Sequence, residues 1–141
     1  MKIYSLVLVI LVLAISSAVL AAGKTAEDWT NEGIALKLSK NYEKALAAFE
    51  KAVELDPQYI DAWVGMSGTL GKLHRYKEGL TAADKALAID RKNELAWVQK
   101  AAHLGSLKRY QEALAAAEEA LKLDPKDSTM IKFKSVVKNY L

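Results

Sequence analysis

The sequence predicts an all-α solenoid of three helix-turn-helix units with a C-terminal capping helix. Three observations carry this. Trp29, Trp63 and Trp97 are the chain's three tryptophans and stand 34 residues apart. Five further columns keep that spacing: Tyr42/Tyr76/Tyr110, Leu36/Leu70/Leu104, Leu46/Leu80/Leu114, Ala52/Ala86/Ala120 and Asp56/Asp90/Asp124. Between the columns, small and apolar residues step by three and four, as on one face of a helix. A fixed period of this length marks one supersecondary unit stacked on its own copies.

The first 22 residues stand apart from this pattern. Lys2 is followed by an uncharged run over 3–23, with Ser16 and Ser17 as a polar break before "AVLAA". A short positive start, an apolar stretch and small residues describe an export signal, cleaved after Ala21 or Ala22. An uncleaved anchor is the alternative, since twenty such residues rise about 30 Å as a helix and span a bilayer. Residues 3–13 have no polar face, which argues against a buried core helix. Both leading readings place the remainder outside the cytoplasm, exported or membrane-anchored. The membrane would be met only through this segment, if it is retained.

The units run over 26–59, 60–93 and 94–127. Thr25, with Asp28 three residues on, offers an N-terminal cap. "AEDWTNEGIALKLSK" places Trp29, Gly33 and Leu36 on one face, and after a break near Asn41 "YEKALAAFEKAVEL" places Ala45, Phe49, Ala52 and Val53 on another. "DP" at Asp56–Pro57 stops the second helix, because proline lacks a donor and disfavours helix in the residue before it. Helices this short are marginal alone and persist when stacked neighbours share a core. In 128–141, Met130, Phe133, Val137 and Tyr140 lie on one stripe and Lys132, Lys134 and Lys138 point elsewhere. This predicts a lid over the last unit. The alternative is a basic helix on a membrane surface.

The pattern resembles the tetratricopeptide repeat over 26–127. The residues that carry the resemblance in the first unit are Trp29, Gly33, Tyr42, Ala45, Phe49, Ala52 and Pro57. In the third they are Trp97, Tyr110, Ala113, Ala120 and Pro125, with Ala101 at a small position. The second keeps Trp63, Tyr76 and Ala86, has Ser67 and Gly79 at small positions, and puts Arg91 where the proline stands. Arg91 weakens one helix stop, although Asp90 and Asn93 still supply turn chemistry. Ala83 and Ala117 replace Phe49, so those pairs pack closer or leave gaps.

The resemblance implies that first helices line a concave groove where a protein or peptide partner binds. The implied groove residues are Asn31, Ile34, Lys37 and Leu38, then Val64, Gly65, Gly68, Gly71 and Lys72, then Leu95, Val98, Gln99, Ala102 and Gly105. Ile34, Leu38, Val64, Leu95 and Val98 make it apolar, and Asn31 and Gln99 would bond a peptide backbone. Chaperone-binding members hold a C-terminal carboxylate with a Lys/Asn/Arg clamp. The clamp positions here are Thr30, Ile34, Gly65, Leu95 and Gln99, none of them cationic, so that clamp is absent.

Gly65, Gly68 and Gly71, with Lys72 following, invite a nucleotide reading that fails. A phosphate loop needs G-x-x-x-x-G-K-[ST], but Met66 and Leu73 occupy two required places. A dinucleotide fingerprint needs G-x-G-x-x-G after a strand. Each interior glycine costs a helix about 1 kcal/mol relative to alanine. The row therefore either opens the groove to a ligand or lets helices approach.

Catalytic chemistry has no foothold. There is no cysteine, which removes disulfides, thiolate nucleophiles and cysteine zinc sites. His74 and His103 have no ligand partners at metal spacing and read as surface or groove residues. No nucleophile elbow surrounds a serine. Carboxylates sit on solvated faces with lysine partners such as Glu118 with Lys122. A formal charge of +3 on 141 residues is too mild for a nucleic-acid footprint, and the aromatics fall at repeat positions. The expectation is a noncatalytic adaptor or assembly factor without cofactor or metal. A self-associating structural module, forming homo-oligomers, is the second reading.

Overall fold

The computed structural model describes residues 23–141, so the reading of 1–22 lies outside the described residues. Seven helices follow one another: α1 Ala26–Leu38, α2 Tyr42–Leu55, α3 Ile60–Lys72, α4 Tyr76–Ile89, α5 Glu94–Ser106, α6 Tyr110–Leu123 and α7 Ser128–Lys138. No strand occurs among the described residues. Nor is any helix among them long and apolar enough to cross a membrane.

Each pair α1/α2, α3/α4 and α5/α6 is an antiparallel hairpin, and each second helix packs against the first helix of the next pair. The first helices also touch one another, α1 with α3 and α3 with α5. They form the inner, tighter layer of the curve. Alanine dominates the contact surfaces: Ala45, Ala52, Ala62, Ala83, Ala86, Ala96, Ala101, Ala113, Ala117 and Ala120 are fully buried. Small side chains let the helices approach closely, and Leu70, Leu104 and Phe49 fill what remains.

The turns explain the recurrence of asparate and tryptophan. Asp56, Asp90 and Asp124 each accept, through Oδ1, the backbone N–H two residues on, at 2.8–2.9 Å. The Trp63 indole N–H donates to the Pro57 carbonyl and that of Trp97 to the Arg91 carbonyl, both at 2.9 Å. Arg91 therefore serves as well as proline, because the turn is built by the aspartate and by a carbonyl that any residue has. Pro57 and Pro125 themselves are exposed, which corrects their expected place in the repeat core. The tryptophans and Tyr42, Tyr76 and Tyr110 are half-buried.

Within each hairpin the link is a tight helix stop. Lys40, His74 and Lys108 take the left-handed conformation, with φ of 61°, 58° and 60°. Asn41, Arg75 and Arg109 then return their N–H groups to Leu36, Leu70 and Leu104 at 2.9 Å. This is the geometry in which glycine usually stands. At the N-terminus, Thr25 and Asp28 form a reciprocal cap, which holds the Asp28 carboxyl below its usual range.

The last helix closes the stack. Met130 and Val137 are buried against α6, and Phe133 packs on Gly105. Tyr140 is 63 % exposed yet stacks on Tyr110 with ring centroids 4.8 Å apart. Glu118 pairs with Lys134 of this helix at 2.8 Å, while Lys122 pairs with Glu119. That corrects the expected Glu118–Lys122 pair: Glu118 is taken by a lysine of α7, and Lys122 by the neighbouring Glu119.

Candidate functional site: the inner face

The inner face is built by α1, α3 and α5. Asn31, Ile34 and Leu38 are exposed along α1, Lys72 ends α3 exposed, and Leu95 and Ala102 are exposed on α5. Ile34 is 40 %, Leu95 52 % and Leu38 77 % exposed. Val98, Gln99, Gly68 and Gly71 are half-buried between them. Exposed apolar groups stand on both α1 and α5, and Gln99 and Lys72 bring polar groups to the seam between α3 and α5.

Three expected groove residues lie elsewhere, Gly105 under Phe133 of α7 and two in the core between helices. Val64 is packed with Ala86, Leu87 and Ala96 in the core between units two and three. Gly65 is buried beneath Phe49. The Phe49 ring fills the space above Gly33 and Gly65 together: a methyl on Gly33 would lie 2.8 Å from the ring, and one on Gly65 closer still. Among the implied clamp positions, Thr30 is also out of reach, buried with its hydroxyl bonded to the Ala26 carbonyl at 2.8 Å.

The glycine row therefore divides. Gly65 permits packing. Gly68 and Gly71 face α5 across an open cleft of about 250 Å³, lined also by Lys72, Tyr76, Gln99, Ala102, His103 and Ser106. A methyl on Gly68 would meet the Gln99 amide nitrogen at 3.0 Å, and one on Gly71 would meet His103 Cε1 at 3.1 Å.

His103 is 2 % exposed, so it is not the surface residue that was one of its expected places; it lines the cleft. Its ring lies where a methyl on Gly79 would sit, 2.5 Å from Cε1. The first and third units carry Ala45 and Ala113 at the position of Gly79; the second gives up that methyl to admit the ring. Ser67 Oγ donates to the Gly79 carbonyl at 2.8 Å and lies 3.0 Å from His103 Nε2. With its proton so committed, Ser67 accepts from Nε2–H. Burial pushes the imidazole below its ordinary value, and the hydrogen bond with Ser67 offsets part of that. His74, by contrast, is exposed, with Nδ1 2.6 Å from the Tyr76 hydroxyl. Among the described residues no group of three or more acidic or histidine side chains is placed to hold a metal ion.

Sequence reasoning missed His103 and Ser106 as members of one cleft, and Ser67 as the buried partner of His103. The signal lay in the pairing of Gly79, where the sister units have alanine, with a histidine in the next unit.

This arrangement presents exposed apolar and hydrogen-bonding groups along one curved face, as a scaffold for recognition does. The family models for the tetratricopeptide repeat match residues 26–59 and 94–127. Solved structures with the same fold include the TPR domain of Arabidopsis OM64, at a TM-score of 0.81 and 23 % identity over 82 % of this chain and 96 % of that one. The first TPR of Spaghetti (RPAP3), bound to the HSP90 peptide SRMEEVD, has a TM-score of 0.81 at 17 % identity, over 82 % and 91 %. The second TPR domain of human RPAP3, in complex with the HSP70 peptide SGPTIEEVD, has a TM-score of 0.77 at 18 % identity, over 80 % and 94 %. No curated protein sequence matches the chain significantly. The matched repeats and the shared fold support assignment to the tetratricopeptide-repeat family, whose fold is a protein-interaction scaffold.

Proposed function

We propose that the chain is a noncatalytic scaffold that binds a protein or peptide segment along its inner face, as an adaptor or assembly factor outside the cytoplasm. The observation that carries the reading is the exposure of apolar side chains on the layer of first helices, Ile34 and Leu38 on α1 and Leu95 on α5. Structural neighbours of the same fold carry chaperone peptides. Here none of the clamp positions is cationic, so the segment is held by apolar side chains and backbone hydrogen bonds rather than by its terminal carboxylate. The site outside the cytoplasm rests on the apolar leader with its single lysine.

The second reading, self-association, is favoured by Ile131 and Val136, about half exposed on the outer side of α7. Selection of peptides from a display library on the full chain tests the first. Selected peptides should bind a monomer and lose at least about tenfold in affinity with Leu95→Glu, since burying an unpaired charge costs well over 1.4 kcal/mol. Binding indifferent to Leu95→Glu would refute the groove. Light scattering that rises with concentration, with no peptide selected, would favour self-association.

A further inference from the structure

The cleft between α3 and α5 has features that the exposed apolar side chains do not explain. Its floor is backbone, at Gly68 and Gly71, and about 250 Å³ is room for one side chain. The more telling feature is His103. Its Nε2–H is spent on Ser67, which leaves Nδ1 as a bare acceptor with no hydrogen bond among the described residues. Every side-chain nitrogen and oxygen sealed from solvent there has a partner. Nδ1 has none, so it is the edge of the ring that reaches the cleft. Beside it the Gln99 amide, half-buried, also has no partner among the described residues, and the Lys72 ammonium stands at the rim.

These groups select by chemistry. An occupant must donate to Nδ1 and accept from Gln99 or Lys72. A carboxylate has no proton for Nδ1. An ammonium meets Lys72. An aliphatic group strips water from Nδ1 and Gln99 and returns nothing, at the cost of unpaired polar groups. We propose that this cleft is a subsite for the carboxamide of an Asn or Gln side chain on the bound segment. It deepens the reading of the inner face as a peptide site and rests on it. The amide NH₂ donates to His103 Nδ1, and its oxygen accepts from the Gln99 NH₂ or from Lys72. The glycines keep the floor open for it.

The subsite needs His103 neutral. The groups that face the ring are Ser67 and Gly71 from α3, Gly79 and Tyr76 from α4, and the Lys72 ammonium; no carboxylate lines the cleft. Burial holds the imidazole neutral. A proton on Nδ1 would set donor against donor, so binding weakens as pH falls. An anion site would show the opposite sign.

Free acetamide is the probe, so that a failure of the subsite is told apart from a failure of the peptide selection. The full chain, with ¹⁵N-labelled histidine, is titrated with acetamide, N-methylacetamide and acetate from pH 7.5 downwards. Acetamide should move the His103 Nδ1 resonance in the direction of an accepted hydrogen bond and leave His74 unmoved. Its affinity should fall about tenfold per pH unit once His103 takes up a proton. Gln99→Ala should weaken it roughly three- to tenfold. An unmoved His103 signal overturns the proposal, as does acetate binding that strengthens towards low pH. N-methylacetamide binding as tightly as acetamide would make the occupant a backbone peptide group and overturn the assignment to a side chain.

Discussion

The two junctions between repeats solve the same packing problem with opposite chemistry. Between the first and second units, the Phe49 ring lies over Gly33 and Gly65 and is fully buried. Between the second and third, the His103 ring lies over Gly79 and Gly71 and is nearly as buried, but it needs the Ser67 hydroxyl as a partner and keeps one nitrogen towards a cleft. An aromatic plug over glycine serves both seams. The apolar one seals its junction. The polar one leaves its junction titratable and open.

The contrast can be broken at the apolar seam first. Phe49→Ala should cost about 3–5 kcal/mol, as large buried aromatics do, read as a drop in thermal or urea midpoint. A loss under about 1 kcal/mol would mean that the neighbouring helices collapse into the space and that the ring is no plug.

The polar seam should respond to pH. Unfolded histidine titrates near 6.5, and burial lowers the folded value of His103. The unfolded state then binds more protons as pH falls below 6.5. Stability from this group is complete above that pH and is lost as pH drops through the folded value. Melting curves from pH 8 to 5 should show this loss in the wild type and a flatter profile in His103→Gln. Identical profiles would show that the imidazole is not held neutral.

The smallest effect sits in the hairpin turns. Lys108 holds φ at 60°, a conformation that costs a non-glycine residue roughly 1–2 kcal/mol. Lys108→Gly should raise stability by about 1 kcal/mol at most, since glycine also gains freedom when unfolded. A loss of stability would mean that the lysine side chain contributes more than its backbone strain costs.

Much of this was legible in the sequence, for a physical reason. A 34-residue recurrence of Trp and Ala columns specifies helix, turn and stacking together, and the Thr25/Asp28 cap follows from one spacing. The turns were less legible. Proline drew attention as the helix stop at Pro57, while Asp56, Asp90 and Asp124 build the turn with or without it. The glycine row was the least legible. Gly65, Gly68 and Gly71 lie on one helix, but what each faces is decided by Phe49, Gln99 and His103 on other helices, and helical period says nothing about partners across a seam.

The division of that row is the central claim, and two melts on one background test it. Gly65→Ala drives a methyl into the enclosed Phe49 ring and should lower stability by about 1–3 kcal/mol, as overpacking does. Gly68→Ala meets only the end of the Gln99 side chain, 3.0 Å away and free to swing towards solvent. It should raise stability by up to about 1 kcal/mol through helix propensity. Opposite signs at these two positions are the expected result; a loss of stability at both would contradict the account and make the whole row a packing seam.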